Sequence, residues 1–213
     1  MTTIRISSLH KKIRKKTLLH DINYEFNGGN IYGLYGRNGS GKTMLLRAMA
    51  GLLMPSSGEI SIDGKVLHKD ISFPANMSVI IENTSLLHQY NAHMNLKILA
   101  KIRNIATDED IKANIKRVGL DPESNMKVGK FSLGMKQRLS VAQAIFEKPD
   151  ILLLDEPTNA IDEEGVTLVY QILKEEKERG ALILLTSHHK QDLEALADIY
   201  IKMENGGIVL DSK

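Results

Sequence analysis

The chain has 213 residues, 42% hydrophobic and 25% charged, a composition typical of a folded domain that excludes long disorder and collagen-like repeats. Its 28 Lys and Arg against 26 Asp and Glu leave a formal charge of +2, too even a balance for the phosphate backbone of nucleic acid, so no nucleic-acid partner is expected. No cysteine is present, which excludes disulfides, thiolate metal sites and thiol nucleophiles.

The first run, MTTIRISSLH, alternates like a strand and carries no apolar stretch of the kind a secretory signal needs. Residues 3–6 and 18–26 predict an antiparallel pair, with the basic stretch 11–16 as its solvated hairpin. Asn27-Gly28-Gly29-Asn30 turns the chain into the buried strand IYGLYG, and a helix is predicted from Met44 to Gly51. Glu59–Ile62 followed by Asp63-Gly64 predicts a further hairpin. Leu96, Leu99, Ala100, Ile102 and Arg103, then Ile111, Ile115 and Val118, recur at helical spacing and mark a small helical lobe. From about residue 140 the order is helix, strand 151–154, amphipathic helix 163–179, strand 181–186 and short helix 191–197, which argues a mainly parallel sheet covered on both faces. The last segment reads as a hairpin about Asn205-Gly206-Gly207. The longest apolar runs, ILLL at 151–154 and ALILL at 181–185, fall far short of the roughly 20 residues that span a bilayer.

Gly36-Arg37-Asn38-Gly39-Ser40-Gly41-Lys42-Thr43 matches G-x-x-x-x-G-K-[ST] in full, between a predicted strand and a predicted helix. Glycines let backbone amides curl around phosphates, the helix presents its N-terminus to the anion, Lys42 supplies a point charge and the Thr43 hydroxyl can ligate magnesium. At Ile151-Leu152-Leu153-Leu154-Asp155-Glu156-Pro157 a buried strand delivers two carboxylates to its C-terminal end, where open α/β sheets place ligands. Asp155 is suited to hold magnesium through water and Glu156 to polarise the attacking water. The histidines at 10, 20, 68, 88 and 93 show no metal-ligand spacing, and Met94, Met126 and Met135 read as packing residues.

With these motifs and three more in the same order, nearly the whole chain resembles the ATP-binding cassette (ABC) ATPases. Phe131-Ser132-Leu133-Gly134-Met135-Lys136-Gln137-Arg138 looks like the family's signature, commonly LSGGQ; Asn159-Ala160-Ile161-Asp162 resembles the D-loop; Thr186-Ser187-His188 resembles the switch histidine motif. The resemblance implies an α/β P-loop NTPase with an N-terminal antiparallel subdomain and a helical lobe of about 83–138 inserted in one domain, 1–213. It implies ATP and Mg2+, with Glu156 and His188 catalytic and Thr43, Asp155 and the Q-loop residue Glu82 at the metal. It also implies a second cassette, homodimeric or heterodimeric, whose bound γ-phosphate Ser132 and Gly134 touch in trans, with Asn159 and Asp162 in the D-loop between. Leu133, Met135 and Glu82 depart from the common pattern and match the drug and bacteriocin-immunity exporter subgroup, while the adenine-stacking aromatic is replaced near Ile13. His189 adjoins His188, and the register after Thr186-Ser187 selects His188.

The expected function is the ATP-hydrolysing subunit of an exporter, cytoplasmic and held at the inner face of the cell membrane by a separate integral membrane subunit. Leu86, Leu87 and Tyr90 are candidates for contact with that subunit or for lobe core. The alternatives are a soluble non-transport ABC ATPase and a regulatory ATP-binding subunit with weak hydrolysis.

Overall fold

The computed structural model describes residues 1–81, 86–188 and 190–209, without the side chain of residue 192. Two sheets organise the molecule. The antiparallel sheet has the order β2-β1-β4-β5, from β1 (Thr3–Ile13), β2 (Lys16–Asn27), β4 (Ser57–Ile62) and β5 (Lys65–Val66). The second sheet has the order β10-β9-β3-β8-β7-β6 and contains β3 (Asn30–Tyr35), β6 (Met77–Ile80), β7 (Ile151–Asp155), β8 (Leu182–Ser187), β9 (Ile199–Glu204) and β10 (Gly207–Val209). Its strands pair in parallel from β6 to β9, and β10 alone runs antiparallel.

Each hairpin follows from its turn. Asp63 and Gly64 have φ of 50° and 81°, and Asn205 and Gly206 have 49° and 83°, two positive values in succession of the kind that matches the twist of flanking strands. The basic hairpin turns at Arg14 and Lys15, with Lys12 and Lys16 also exposed. Central strands bury both faces. Ile151 and Leu153 point into a core shared with β1, β2, β4 and the first helix, while Leu152 and Leu154 point into a second core under the remaining helices.

The helices are α1 (Lys42–Met49), α2 (Ala92–Arg103), α3 (Asp108–Arg117), α4 (Leu133–Ile145) and α5 (Glu163–Glu178). Side chains start four of them: Asn91, Thr107, Ser132 and Asp162 each accept a backbone N–H of the first turn, and Thr107 with Asp110 completes a capping box. α2 and α3 pack on each other, and α4 joins them to the sheet through contacts with α3, α5 and β6.

Three features differ from the sequence expectation. β6 has no counterpart there, because four residues of mixed polarity carry no periodic signal and become a strand by pairing beside β7. α4 begins at Leu133, where Ser132 caps it, rather than near 140. The short helix expected at 191–197 is a single 3-10 turn, Gln191–Leu193. Among the described residues no helix is long and apolar enough to cross a membrane.

Candidate active site

β3 runs between β8 and β9 in the middle of the parallel sheet and ends at Tyr35, so the next eight residues lie beyond the carboxyl edge of the sheet. The loop 36–43 turns there into α1. Gly36, with φ of 151°, passes so close to β9 that an added Cβ would lie 2.2 Å from the Met203 carbonyl oxygen. Gly41, with φ of 108°, faces the Leu18 carbonyl at 3.0 Å in the same sense. Neither position admits a side chain without displacing backbone.

Lys42 is buried and its Nζ donates to the Gly36 carbonyl at 2.6 Å, so the ammonium is tucked inside the loop it serves. Burial pushes its pKa below the ordinary lysine value, against the opposing pull of Glu156 and Asp155. The Thr43 hydroxyl donates to Asp155 Oδ2 at 2.7 Å, joining the loop to the end of β7. The other carboxylate oxygen, Oδ1, accepts from the Thr186 hydroxyl at 2.6 Å, and Thr186 Oγ1 in turn accepts from the Glu156 N–H at 3.1 Å. Strands β7 and β8 therefore hold both acids at fixed places.

Glu156 has φ of 50°, a left-handed conformation at the strand end. Gln137 supports it by donating from Nε2 to the carbonyls of Glu156 and Pro157 at 3.3 and 3.0 Å. The Glu156 carboxylate meets His188, with Oε1 and Nε2 2.6 Å apart. These residues border an open cavity of about 540 Å³ whose floor is the loop from Asn38 to Met44, with Glu156 and His188 on one wall and residues 16–18 with the β9–β10 turn on another.

The loop, Lys42, Thr43, Asp155, Glu156 and His188 are thus brought together, whereas Ser132 and Gly134 do not line this cavity. Ser132 caps α4, its Oγ accepting from the Met135 N–H at 3.1 Å, and Leu133 beside it is 65% exposed. A Cβ on Gly134 would meet the Ala160 carbonyl at 3.0 Å, so the signature helix lies against the segment 159–162. Within that segment Asn159 is exposed and Asp162 caps α5, accepting from the Gly165 N–H at 3.1 Å. Glu82 and His189 lie outside the described residues. Ile13 is exposed and does not line the cavity.

Sequence reading alone missed the two supports of the acid pair, Thr186 as a bridge and Gln137 as a clamp. It also missed the contact of the β9–β10 turn with the phosphate loop, where Gly206 N–H donates to the Ser40 carbonyl at 2.9 Å. The Asn-Gly-Gly signal marked the turn without its neighbour. Leu86 packs against the lobe core, while Leu87 and Tyr90 remain part exposed. Met94 and Met126 correct the packing expectation, since both are exposed; Met135 packs against the core as expected.

A phosphate loop at the carboxyl edge of a parallel sheet, facing a strand-end Asp-Glu pair, defines a P-loop nucleoside triphosphatase. A family model described as ABC transporter matches residues 19–159. The uncharacterised ABC transporter ATP-binding protein YybJ of Bacillus subtilis (strain 168) is 60% identical, over 99% of this chain and 96% of that protein. The lantibiotic transport ATP-binding protein SrtF of Streptococcus pyogenes is 32% identical, over 99% of this chain and 90% of that protein. The dimeric post-hydrolysis structure of the ATP-binding cassette MJ0796, bound to ADP and Pi, has the same fold, with a TM-score of 0.85 at 20% identity over 96% of each chain. The chain belongs to the ABC transporter family and is its ATP-binding, ATP-hydrolysing subunit.

Proposed function

We propose that the chain hydrolyses ATP between two cassettes and passes the resulting change of association to a separate membrane subunit, as part of an exporter. The observation that carries the catalytic half is the pair at the end of β7: Asp155 tied to Thr43, and Glu156 beside His188, over one phosphate loop. The loop 36–43 and the N-terminus of α1 bind the phosphates, with Lys42 as the fixed cation. Glu156 accepts a proton from the attacking water, and His188, next to that carboxylate, is placed to contact the departing γ-phosphate.

The donor set fits a hard divalent ion: a hydroxyl and a carboxylate meet at the loop, and no all-protein cluster of three acids or histidines exists among the described residues. Thr43 and Asp155 would hold Mg2+, with Glu82 as a further ligand, and the ion would neutralise charge on the phosphates.

Ser132 and Gly134 lie away from their own loop, at the start of a capped helix, which supports a role toward the nucleotide of a second cassette. Asn159 and Asp162 would lie between the two sites. The dimeric arrangement of the MJ0796 cassette and the lantibiotic transport named for SrtF support, respectively, the paired cassette and the exporter assignment. The molecule would then sit on the cytoplasmic face of the membrane through its partner, with 1–213 as one cassette and 83–138 as its lobe.

Glu156→Gln tests the reading. It is expected to retain ATP binding, to lose hydrolysis by about a hundredfold or more, and to accumulate as an ATP-bound dimer in light scattering. Hydrolysis at the wild-type rate would overturn the assignment of Glu156.

A further inference from the structure

The charge of the chain is unevenly placed. Its formal total is +2, yet residues 11–16 alone carry five positive charges, so the other residues together carry −3. The first twenty residues contain no Asp or Glu to offset them. All five cations belong to one hairpin, in which β1 ends at Ile13, Arg14 and Lys15 form the turn and β2 begins at Lys16. Ile13 pairs with Lys16 and Lys12 with Thr17, so Lys12 and Lys16 lie on opposite faces and Arg14 and Lys15 occupy the tip, all four exposed. Apolar side chains lie among them. Ile13 is 47% exposed, and Met54 is 63% exposed on the neighbouring loop, which is tied to the hairpin where Lys11 Nζ donates to the Met54 carbonyl at 2.7 Å and the Lys12 N–H donates to Ser56 Oγ at 3.1 Å.

Cations spread over a projecting tip, with apolar side chains between them, suit a surface that has anionic headgroups outside and acyl chains beneath. A nucleic-acid backbone would match the cations and leave Ile13 and Met54 in water. We infer that the β1–β2 hairpin is a lipid contact, whose tip docks on a bilayer surface rich in anionic phospholipid. Lys12, Arg14 and Lys15 lie among the headgroups, with Ile13 and Met54 against the outer ends of the acyl chains. Lys16 also borders the nucleotide cavity, so the role is assigned to the other three cations. Each cation at such a surface contributes roughly fivefold in partition, and salt screens it. The contact is separate from hydrolysis and from any protein partner, and gives the chain a membrane affinity of its own.

The test is co-sedimentation of the whole chain with vesicles of phosphatidylcholine alone or of an equal mixture of phosphatidylcholine and phosphatidylglycerol. The chain is expected to bind the mixed vesicles at least about tenfold more tightly than the neutral ones, and to lose that preference in molar salt. The combined variant Lys12→Glu, Arg14→Glu, Lys15→Glu is expected to lose at least about tenfold in affinity for the mixed vesicles, with ATP affinity and thermal midpoint unchanged. Should reversal of charge prevent folding, the combined variant Lys12→Gln, Arg14→Gln, Lys15→Gln serves instead, with an expected loss of at least about fivefold. Equal binding to the two kinds of vesicle, or a folded variant that binds the mixed vesicles as wild type does, overturns the inference. Binding of duplex DNA or polyglutamate as tight as that of the mixed vesicles overturns it too, because the hairpin would then be a general polyanion site.

Discussion

Thr186 shows how one side chain fixes two neighbouring acids at once. Its hydroxyl donates to Asp155 and accepts from the Glu156 N–H, so both acids depend on it. Thr186→Val leaves a part-buried N–H and a carboxylate oxygen short of partners, which costs about 1 kcal/mol or more. The expected result is a lower thermal midpoint and a fall in kcat larger than the rise in KM, with Thr186→Ser restoring both. Lys42 makes a second residue-level case. Folding lowers its pKa by burial, so between the folded value and the ordinary 10.5 the unfolded chain binds more protons. Its burial therefore opposes folding below the folded pKa, and that opposition fades as pH rises toward 10.5. The apo midpoint of wild type minus that of Lys42→Met is expected to grow more positive with alkaline pH; a flat difference contradicts the burial account. The same variant is expected to lose ATP binding, read as the disappearance of the nucleotide-induced rise in midpoint.

At the scale of elements, capping residues serve both fold and site. Asp162 caps α5 in the segment that carries the D-loop resemblance, and its removal by Asp162→Ala is expected to cost about 1 kcal/mol in denaturant unfolding. Asp162→Ser retains a capping oxygen and should recover that stability, so any hydrolysis still missing in it reports a role between cassettes. In the lobe, Thr107→Ala opens the capping box of α3 and is expected to cost a similar amount, about 1 kcal/mol, with ATP affinity unchanged. Asp108, the next residue, joins α3 to α2 through His93 at 2.9 Å and Lys97 at 3.0 Å. Hydrogen bonding to Lys97, aided by His93, lowers its carboxyl pKa, so this tie is present above the usual value of 3.8 and is lost as pH falls through the folded value.

For the molecule as a whole, what could be read in advance is what is local. The loop 36–43, the acids 155 and 156 and the turns at 63–64 and 205–206 are contiguous, so their chemistry and their conformation are written in neighbouring residues. The strand-helix alternation likewise foretold a parallel sheet, and β3, β7 and β8 pair as that pattern requires. What escaped depends on distance. β6 exists by pairing with a strand more than seventy positions on, Gln137 reaches Glu156 across the start of a helix whose first turn was misplaced, and Gly206 reaches Ser40 from the far end of the chain. No local periodicity encodes such contacts. The exposed Met94 and Met126 show the converse, since helical or apolar character alone did not say which side faces the core.

We propose that Glu156, held on β7 beside His188, drives hydrolysis in a site completed by a second cassette. It is tested most directly by the rate of magnesium-dependent phosphate release from ATP, per chain, across a range of protein concentration, for wild type and Glu156→Gln side by side. The wild-type rate per chain is expected to rise with concentration and the Glu156→Gln rate to lie at least about a hundredfold lower throughout. A wild-type rate per chain that stays constant with concentration, or one that survives in Glu156→Gln, would contradict it.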